Sequence, residues 1–531
     1  MVGPGSVCVQ DVSFTYQQAT EESLRRFSLD IAPGEFVLVA GPSGSGKSTL
    51  AMCLTGFVPH YFPGRFQGSV RVGDLDTLRC DVYRLAQEIG LVQQDPEGQL
   101  CTLRVEDEVA FGPENLCLHG EEVRRRVGWA LQAAGAAHLR GRGTAALSGG
   151  EKQKVAIAAM LAMGCHTLVL DEPTSSLDPR STREVFEAIS SLRGGNGPTV
   201  LVIEHRLHHF LPLASRLVVV REGEKAADVP AAAVSAAFTG SDGWPSGSGP
   251  LTSGPPTHGL LTPEPVTPGP VTLAVRDLDF RWPDPEGITS TGAAGSTAIR
   301  GSRVLRGVSF DLRAGEITVL MGDNGSGKST LLGLILGFYR PQGGNVFLHG
   351  RDITGEPVAR RARRIGLVFQ NPHHQIFERT VRDEVLLPAR NFGHDEETAW
   401  KQAQEILEGM GLLGYSAAHP LALSFGQKKR LNLATMLTYR PDVLLLDEPF
   451  AGQDEVAVQV VMDVLYGFCR QGGTVLLVCH EPSLVPRYCH RVLFLEGGEV
   501  TVDAAPPQAF ALLRKRGRTE YCPPEPGRLP G

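Results

Sequence analysis

The stretch GPSGSGKST at residues 41–49 decides the fold of this chain, and it returns as GDNGSGKST at residues 322–330. Each copy follows a short apolar run, FVLVA (36–40) or ITVLM (317–321), which is typical of a buried strand. The pattern G-x-x-x-x-G-K-[ST] wraps backbone N–H groups around nucleotide phosphates, with the lysine as a cation and the hydroxyl as a Mg²⁺ ligand. The chain therefore carries two predicted phosphate loops, each between a strand and a helix.

The residues of both loops are candidate phosphate contacts. In the first loop they are Gly41, Pro42, Ser43, Gly44, Ser45, Gly46, Lys47, Ser48 and Thr49. In the second they are Gly322, Asp323, Asn324, Gly325, Ser326, Gly327, Lys328, Ser329 and Thr330. Ser48 and Ser329 are also predicted Mg²⁺ ligands.

Four further motifs occur twice, in the same order. They are LVQQDP (91–96) and LVFQNP (367–372), ALSGGEKQK (146–154) and ALSFGQKKR (422–430), LVLDEP (168–173) and LLLDEP (444–449), and VIEH (202–205) and LVCH (477–480). Counting the phosphate loops as a fifth motif, the second copies lie 275 to 281 residues after the first. Such a constant spacing indicates a duplicated domain. Residues 103–135, rich in helix formers, predict a helical insert within an α/β domain.

Two acidic pairs end apolar strands of the repeat. Asp171 and Asp447 suit Mg²⁺ binding at the strand end. Glu172 and Glu448 come next, where a carboxylate polarises an attacking water. The alternative is a surface glutamate before a proline turn, and the neighbouring phosphate loop favours catalysis.

The other repeated motifs add candidate residues. His205 and His480 each end another apolar run, either as catalytic residues or as core histidines, and their recurrence favours catalysis. Ser148 and Ser424 stand before helices, where a capping hydroxyl and exposed N–H groups suit an anion.

Composition excludes several classes of protein. The 531 residues hold 51 Lys and Arg against 58 Asp and Glu, a net charge of −7, which argues against a nucleic-acid-coating protein. Ten scattered cysteines without C-x-x-C fit neither a disulfide framework nor a zinc site, and favour a reducing compartment. No apolar run approaches the ~18 residues of a membrane span. We therefore expect a cytoplasmic chain, peripheral if it serves a membrane.

The repeat and the composition divide the chain. The predicted segments are a first domain (1–238), a linker (239–270), a second domain (271–512) and a flexible tail (513–531). Residues 241–270 hold eight Pro and six Gly, too many for a packed segment. The insertion GITSTGAAGSTAIRGS (287–302) predicts a surface loop, and the basic tail is either solvated or in contact with anionic lipid.

With these motifs in this order, residues 5–235 and 271–510 resemble the ATP-binding cassette (ABC) ATPases. The resemblance implies an α/β fold with two P-loop NTPase domains, each with a RecA-like parallel sheet core, an antiparallel β-subdomain and a helical insert. It implies ATP and Mg²⁺ as cofactors. In that family two cassettes stack head to tail, and a flexible linker of this length permits such pairing within one chain.

The resemblance also carries over site residues. It implies that the ATP at each phosphate loop meets the LSGGE-type loop of the other cassette, through Ser424 and Gly426 or through Ser148 and Gly150. It makes Gln94 and Gln370 ligands of ATP and Mg²⁺, with Asp171 and Asp447 on the metal, and Glu172, Glu448, His205 and His480 catalytic. Tyr16 and Trp282 match the aromatic that stacks on adenine, or else are core aromatics at strand ends.

A finer resemblance lies in QQDPEGQLCTLRVEDEVAFGPENL (93–116), which is similar to the cassettes of energy-coupling factor (ECF) importers in the stretch E-x-x-V-x-F-G-x-E-N. It implies a membrane coupling (T-type) subunit, a substrate-capture (S-type) membrane protein, and import of a vitamin, a vitamin precursor or a transition-metal ion. The second copy reads LLPARN at that place. The loop AGQD (451–454) also departs from SSLD (175–178), which leaves open whether the two sites are equivalent.

Two other functions fit tandem cassettes. ABC-F translation factors join their cassettes by a long, charged helical linker, whereas this linker is rich in Pro, Gly and Ser. We therefore expect no nucleic-acid partner. An exporter ATPase is the second alternative, and DNA-repair cassettes lack support because no coiled coil or zinc motif is visible. The acidic stretch Asp95–Gln99, against the neutral Asn371–Gln375, predicts a coupling helix bearing Arg or Lys at the first cassette.

Overall fold

The computed structural model describes residues 3–17, 21–94, 96–175, 177–193, 197–204, 207–237, 269–283 and 303–523. The chain divides into two units, residues 1–255 and 256–531. The insertion 287–302 and linker residues 239–268 lie outside the described residues, as do Asp95, Ser176 and His205.

The first unit alternates strands and helices. Its strands are β1 (Val7–Tyr16), β2 (Leu24–Ile31), β3 (Phe36–Ala40), β4 (Gly64–Val72), β5 (Leu75–Asp76), β6 (Ile89–Val92), β7 (Thr167–Asp171), β8 (Thr199–Ile203), β9 (Arg216–Arg221) and β10 (Glu224–Pro230). Its helices are α1 (Lys47–Leu54), α2 (Phe57–His60), α3 (Val82–Glu88), α4 (Pro96–Gln99), α5 (Val105–Asn115), α6 (Gly120–Ala133), α7 (Gly149–Met163), α8 (Pro179–Ser191), α9 (Leu207–Phe210) and α10 (Ala231–Ala237).

The strands of the first unit form two sheets. One has the order β10-β9-β3-β8-β7-β6, and all its pairings are parallel except that of the edge strand β10. The other is antiparallel, with the order β2-β1-β4-β5. The apolar runs 36–40 and 167–171 coincide with β3 and β7, so the predicted interior strands are confirmed. Helices α5 and α6 form the predicted helical insert.

The second unit repeats this order. Its strands are β11 (Val271–Arg281), β12 (Arg303–Arg313), β13 (Ile317–Met321), β14 (Gly343–Leu348), β15 (Arg351–Asp352), β16 (Ile365–Val368), β17 (Val443–Asp447), β18 (Thr474–Val478), β19 (Arg491–Glu496) and β20 (Glu499–Ala504). Its helices are α11 (Lys328–Leu336), α12 (Val358–Arg361), α13 (Val381–Phe392), α14 (Glu396–Gly409), α15 (Phe425–Leu437), α16 (Glu455–Arg470), α17 (Val485–Tyr488) and α18 (Pro506–Lys515). The sheets are β16-β17-β18-β13-β19-β20 and β12-β11-β14-β15.

Each unit has one core on either face of its parallel sheet. In β3, Phe36, Leu38 and Ala40 pack with the helical insert and α7. Val37 and Val39 point the other way, toward α1 and the antiparallel sheet. Because both faces are covered, the strand is apolar throughout, as in other buried parallel strands. Among the described residues, no helix has the length and apolarity needed to cross a bilayer.

Residues 513–523 differ from the predicted flexible tail, whose residues 524–531 lie outside the described residues. Helix α18 runs through the predicted boundary at residue 513, and a 3-10 turn follows at Thr519–Tyr521. The side chains of Leu513 and Tyr521 are fully buried in the core of the second unit. The apolar residues of this segment find partners in the core, so residues 513–523 belong to the second unit rather than to a tail.

Candidate active sites

The two glycine loops have the same backbone. Gly41 follows β3 with φ of 157°, and a Cβ there would lie 2.1 Å from Val220 O. At Gly322 the corresponding distance, to Leu495 O, is 2.2 Å. Any side chain would push the loop off the neighbouring strand, so only glycine fits. The first glycine therefore seats the loop on the sheet, in addition to the close phosphate approach that the motif predicts.

The lysines of the loops point back over their own backbone. Lys47 Nζ donates to Gly41 O and Pro42 O, both at 2.8 Å. Lys328 Nζ donates to Gly322 O at 2.9 Å and Asp323 O at 2.8 Å. Each ammonium group is therefore held above the loop that is predicted to cradle phosphates.

Each phosphate loop contains a buried serine hydroxyl group that is suited to a ligand. Ser45 Oγ and Ser326 Oγ are buried and make no hydrogen bond to any described residue. A buried hydroxyl group without a partner costs free energy. A bound phosphate oxygen would supply that partner, so the loops suit a nucleotide.

The predicted catalytic glutamates sit in strained backbone directly after strands β7 and β17. Glu172 has φ of 49° and Glu448 has φ of 50°, in the left-handed region that non-glycine residues rarely adopt. Gln94 Nε2 donates to Glu172 Oε2 at 2.7 Å, and Gln370 Nε2 donates to Glu448 Oε2 at 3.1 Å. The structure thus brings each predicted glutamine onto the glutamate of the same unit.

The second unit also joins the predicted Mg²⁺ ligands. Ser329 Oγ donates to Asp447 Oδ2 at 2.7 Å. Burial, and then the charge of Glu448, raise the pKa of Asp447 to about 6. A hydroxyl group and a carboxylate are hard oxygen ligands, and a cation would offset the repulsion between the acidic neighbours. Ser329, Asp447 and Gln370 therefore suit Mg²⁺, which when bound neutralises phosphate charge.

His480 lies against the predicted catalytic glutamate of the second unit. Its Nε2 is 3.0 Å from Glu448 Oε1, an ion-pair distance, although the angles fall outside hydrogen-bond geometry. Burial raises the pKa of Glu448, but nearby His480, Lys429 and Lys328 outweigh it and leave the pKa below its ordinary value. Glu448 is therefore kept ionised, as a group that polarises water must be.

Lys429 is a site residue that the sequence motifs do not reveal. Its buried Nζ donates to the backbone oxygen of Glu448 at 2.6 Å and lies 5.2 Å from the Phe425 ring centroid. The first copy has Gln153 at the matching position of the motif. Its burial in α15 is visible only in the structure, so the sequence carried no signal for this contact.

The predicted helix caps are confirmed. Ser148 Oγ accepts from Glu151 N at 3.4 Å, and Glu151 Oε2 accepts from Ser148 N at 2.8 Å. Ser424 and Gln427 make the same reciprocal pair at 3.3 and 2.9 Å. These capping boxes fix the start of α7 and α15. That Ser148, Gly150, Ser424 and Gly426 contact ATP stays a prediction.

The two candidate adenine-stacking aromatics have different surroundings. The hydroxyl group of Tyr16 lies 3.2 Å from Thr49 Oγ1, next to the first phosphate loop. The Trp282 ring packs edge-on against Tyr339 and Phe280, at centroid distances of 4.8 and 5.1 Å. Adenine stacking stays a prediction for both.

Known proteins resemble this chain in sequence. The sequence model of the ABC transporter family matches residues 24–175 and 305–451. A Methanosarcina acetivorans protein, provisionally named an ABC transporter ATP-binding protein, is 36% identical over 98% of this chain and 89% of its own length. A Bacillus subtilis protein, provisionally named the HMP/thiamine import ATP-binding protein YkoD, is 35% identical over 95% of this chain and 92% of its own length.

Among solved structures, cbiO1 from Clostridium perfringens, described as part of the ABC transporter complex cbiONQ, is 29% identical. It covers 46% of this chain and 94% of its own, with a TM-score of 0.39. The family match covers both repeats and includes both phosphate loops and both Asp-Glu pairs. The chain therefore belongs to the ABC transporter family and is an ATPase with two ABC domains.

Proposed function

We propose that this chain is the ATP-hydrolysing subunit of an ECF-type importer that takes up a vitamin, a vitamin precursor or a transition-metal ion. The observation that carries the proposal is the likeness, over 95% of the chain, to a relative named for HMP/thiamine import. Thiamine and HMP are therefore the first substrates to test. The chain would work on the inner face of the membrane, beside a T-type coupling subunit and an S-type capture protein.

An exposed apolar surface of the first unit suits a membrane partner. The motif E-x-x-V-x-F-G-x-E-N lies on α5, where Phe111 is half exposed. Buried Glu108 on the same helix accepts from Cys101 N at 3.0 Å and Thr102 N at 2.7 Å, which holds the preceding loop against α5. Leu103 in that loop is 86% exposed. The apolar face of a coupling helix would cover these side chains.

The second unit keeps this anchor with different side chains. Buried Glu384 accepts from Phe377 N at 2.9 Å and from Glu378 N at 2.7 Å. Phe377 is 73% exposed. We therefore expect each unit to offer an apolar docking surface, with different side chains in the two copies.

Hydrogen bonds of Gln94 and Gln99, which precede this surface in the chain, lead toward Glu172. Gln99 Oε1 accepts from Gln93 N at 3.0 Å, and Gln99 Nε2 donates to Leu91 O at 2.8 Å. Gln99 is thereby tied to Gln93, the neighbour in sequence of Gln94, which contacts Glu172. Movement of a docked helix would reach the carboxylate that polarises water. Nucleotide hydrolysis and transport would be coupled through this loop.

The decisive experiment is coexpression with the membrane proteins encoded beside the gene. We expect the chain to copurify with them and to support uptake of labelled thiamine or HMP. The variant Glu172→Gln, Glu448→Gln should still copurify but should lose uptake, because water is no longer polarised. Loss of copurification with every encoded membrane protein would contradict the importer. Copurification with ATP-dependent efflux would favour the exporter alternative.

The same variant tests whether the cassettes pair within one chain. With ATP bound and hydrolysis blocked, we expect light scattering to give the mass of a single chain. ATP-dependent doubling of the mass would show pairing between chains.

A further inference from the structure

Residues 518–521, which follow α18, contact the phosphate loop of the second unit. Tyr521 OH donates to Asp323 Oδ1 at 2.6 Å, and Arg518 Nη2 donates to Asp323 Oδ2 at 3.1 Å. Asp323 is the second residue of that loop, and its backbone oxygen accepts from Lys328 Nζ. The two side chains from the C-terminus therefore hold the carboxylate of a residue whose backbone contacts the phosphate-binding lysine.

The position of this clasp, residues Arg518 and Tyr521, is set by the core. The buried Tyr521 ring packs edge-on against Phe494 of β19 at a centroid distance of 5.0 Å. Arg518 Nε donates to Glu496 Oε1 at 2.9 Å, so the guanidinium group bridges the end of β19 and the loop. A side chain held on a sheet strand in this way is preorganised and loses little entropy on making its contact.

The second loop carries a negative charge that the first loop lacks, and the clasp contacts that charge. The first loop has Pro42 where the second has Asp323. ATP carries several negative charges, so an uncompensated carboxylate on the loop would repel the phosphates. The Tyr521 phenol and the Arg518 guanidinium group, which also pairs with Glu496 and Glu520, each contact one Asp323 oxygen and offset part of its charge.

We propose that Arg518 and Tyr521 are positioning residues for the second nucleotide site, which neutralise Asp323 and so permit tight ATP binding there. The clasp is then part of the second ATP site. Nothing at the matching position of the first loop requires such a clasp, so removal of the clasp should weaken one site selectively.

The test is ATP binding to the full chain in a Lys47→Ala background, which reports on the second loop, measured by calorimetry with Mg²⁺. Arg518→Ala should weaken binding about tenfold, as expected for one exposed charge near polyphosphate. Tyr521→Phe, which removes only the hydroxyl group, should weaken it about threefold. Arg390→Ala, which frees Asp383 and Glu396 elsewhere in the second unit, is the matched control and should leave binding unchanged.

The charge itself is tested by rescue. Asp323→Asn combined with Arg518→Ala should restore binding to within about twofold of the background, because no carboxylate is left to repel ATP. If the clasp only stabilised the fold, removal of the Asp323 charge would not restore ATP binding. Parent-like binding by both Arg518→Ala and Tyr521→Phe would overturn the proposal, and so would a double variant that stays as weak as Arg518→Ala. If Arg518→Ala fails to fold, ATP binding by Tyr521→Phe is compared with and without Asp323→Asn, and the same rescue or its absence supports or overturns the proposal.

Discussion

Replacement of Lys429 by glutamine would give the second unit the residue that the first unit has at position 153. The change removes a buried ammonium group that donates to Glu448 O at 2.6 Å. A hydrogen bond from a charged group contributes about 1.5–3 kcal/mol, and a shorter glutamine would recover part of it. We therefore expect the variant to lose about 2 kcal/mol of stability, or roughly 4–6 °C in the melting temperature of a unit this large.

The same change should slow hydrolysis. Glu448 has an unfavourable left-handed backbone, which persists only where neighbours hold it, and Lys429 holds its carbonyl group. A loss of about 1 kcal/mol in the transition state lowers kcat roughly fivefold. KM for ATP should change little, because the hydrogen bond that is lost is the one to the Glu448 carbonyl group. The assays are thermal unfolding without nucleotide and steady-state ATP hydrolysis.

Lys428 supplies the matched control on the same helix. It is also buried, and burial lowers its pKa. Lys428→Gln removes an ammonium group without touching the Glu448 carbonyl contact, so its melting temperature and kcat should stay near those of the parent. Equal losses in both variants would mean that any buried charge on α15 matters. If Lys429→Gln has the melting temperature and kcat of the parent, Lys429 does not hold the Glu448 carbonyl group in the way proposed.

Three further outcomes follow from the sites. Lys47→Ala and Lys328→Ala should each remove most ATPase activity, and a variant with near-full turnover would show that its site is not catalytic. In the chain free of Mg²⁺ and nucleotide, the pKa of Asp447 is raised from its ordinary value of 3.8 to about 6. Its carboxyl group therefore stabilises the fold fully below pH 3.8, and this stabilisation is lost as the pH rises through 6. Asp447→Asn should therefore melt higher than the parent at pH 8 and equally near pH 4, and an equal difference at both values would contradict this. Glu97, 72% exposed and 3.1 Å from Lys152 Nζ, should face a basic coupling helix, so Glu97→Lys should reduce copurification and uptake but spare basal hydrolysis. Glu97→Gln, which also loses the Lys152 pair, separates that pair from charge reversal, and unchanged uptake in both variants would refute charge-based docking.

The local patterns of the sequence predicted the fold and the place of the strand-end glutamates. An apolar run of five residues followed by a glycine loop can only form a buried strand and a tight turn, so β3 and β13 appear at the predicted residues. The repeat supplied a second, independent copy of each motif. Glu172 and Glu448 were predictable in the same way, because their place after a strand depends on neighbouring residues alone.

Long-range contacts decided the rest. The sequence after residue 513 is basic and rich in proline, which predicts a tail, yet Tyr521 is buried because a site on β19 accepts its ring. Lys429 becomes a site residue because α15 carries it to the strained turn after β17. Composition and periodicity indicate how a segment interacts with water and with residues that are near it in the sequence. They do not record which distant carbonyl, ring or carboxylate the fold places beside it, and those partners decided the C-terminus and the surroundings of Glu448.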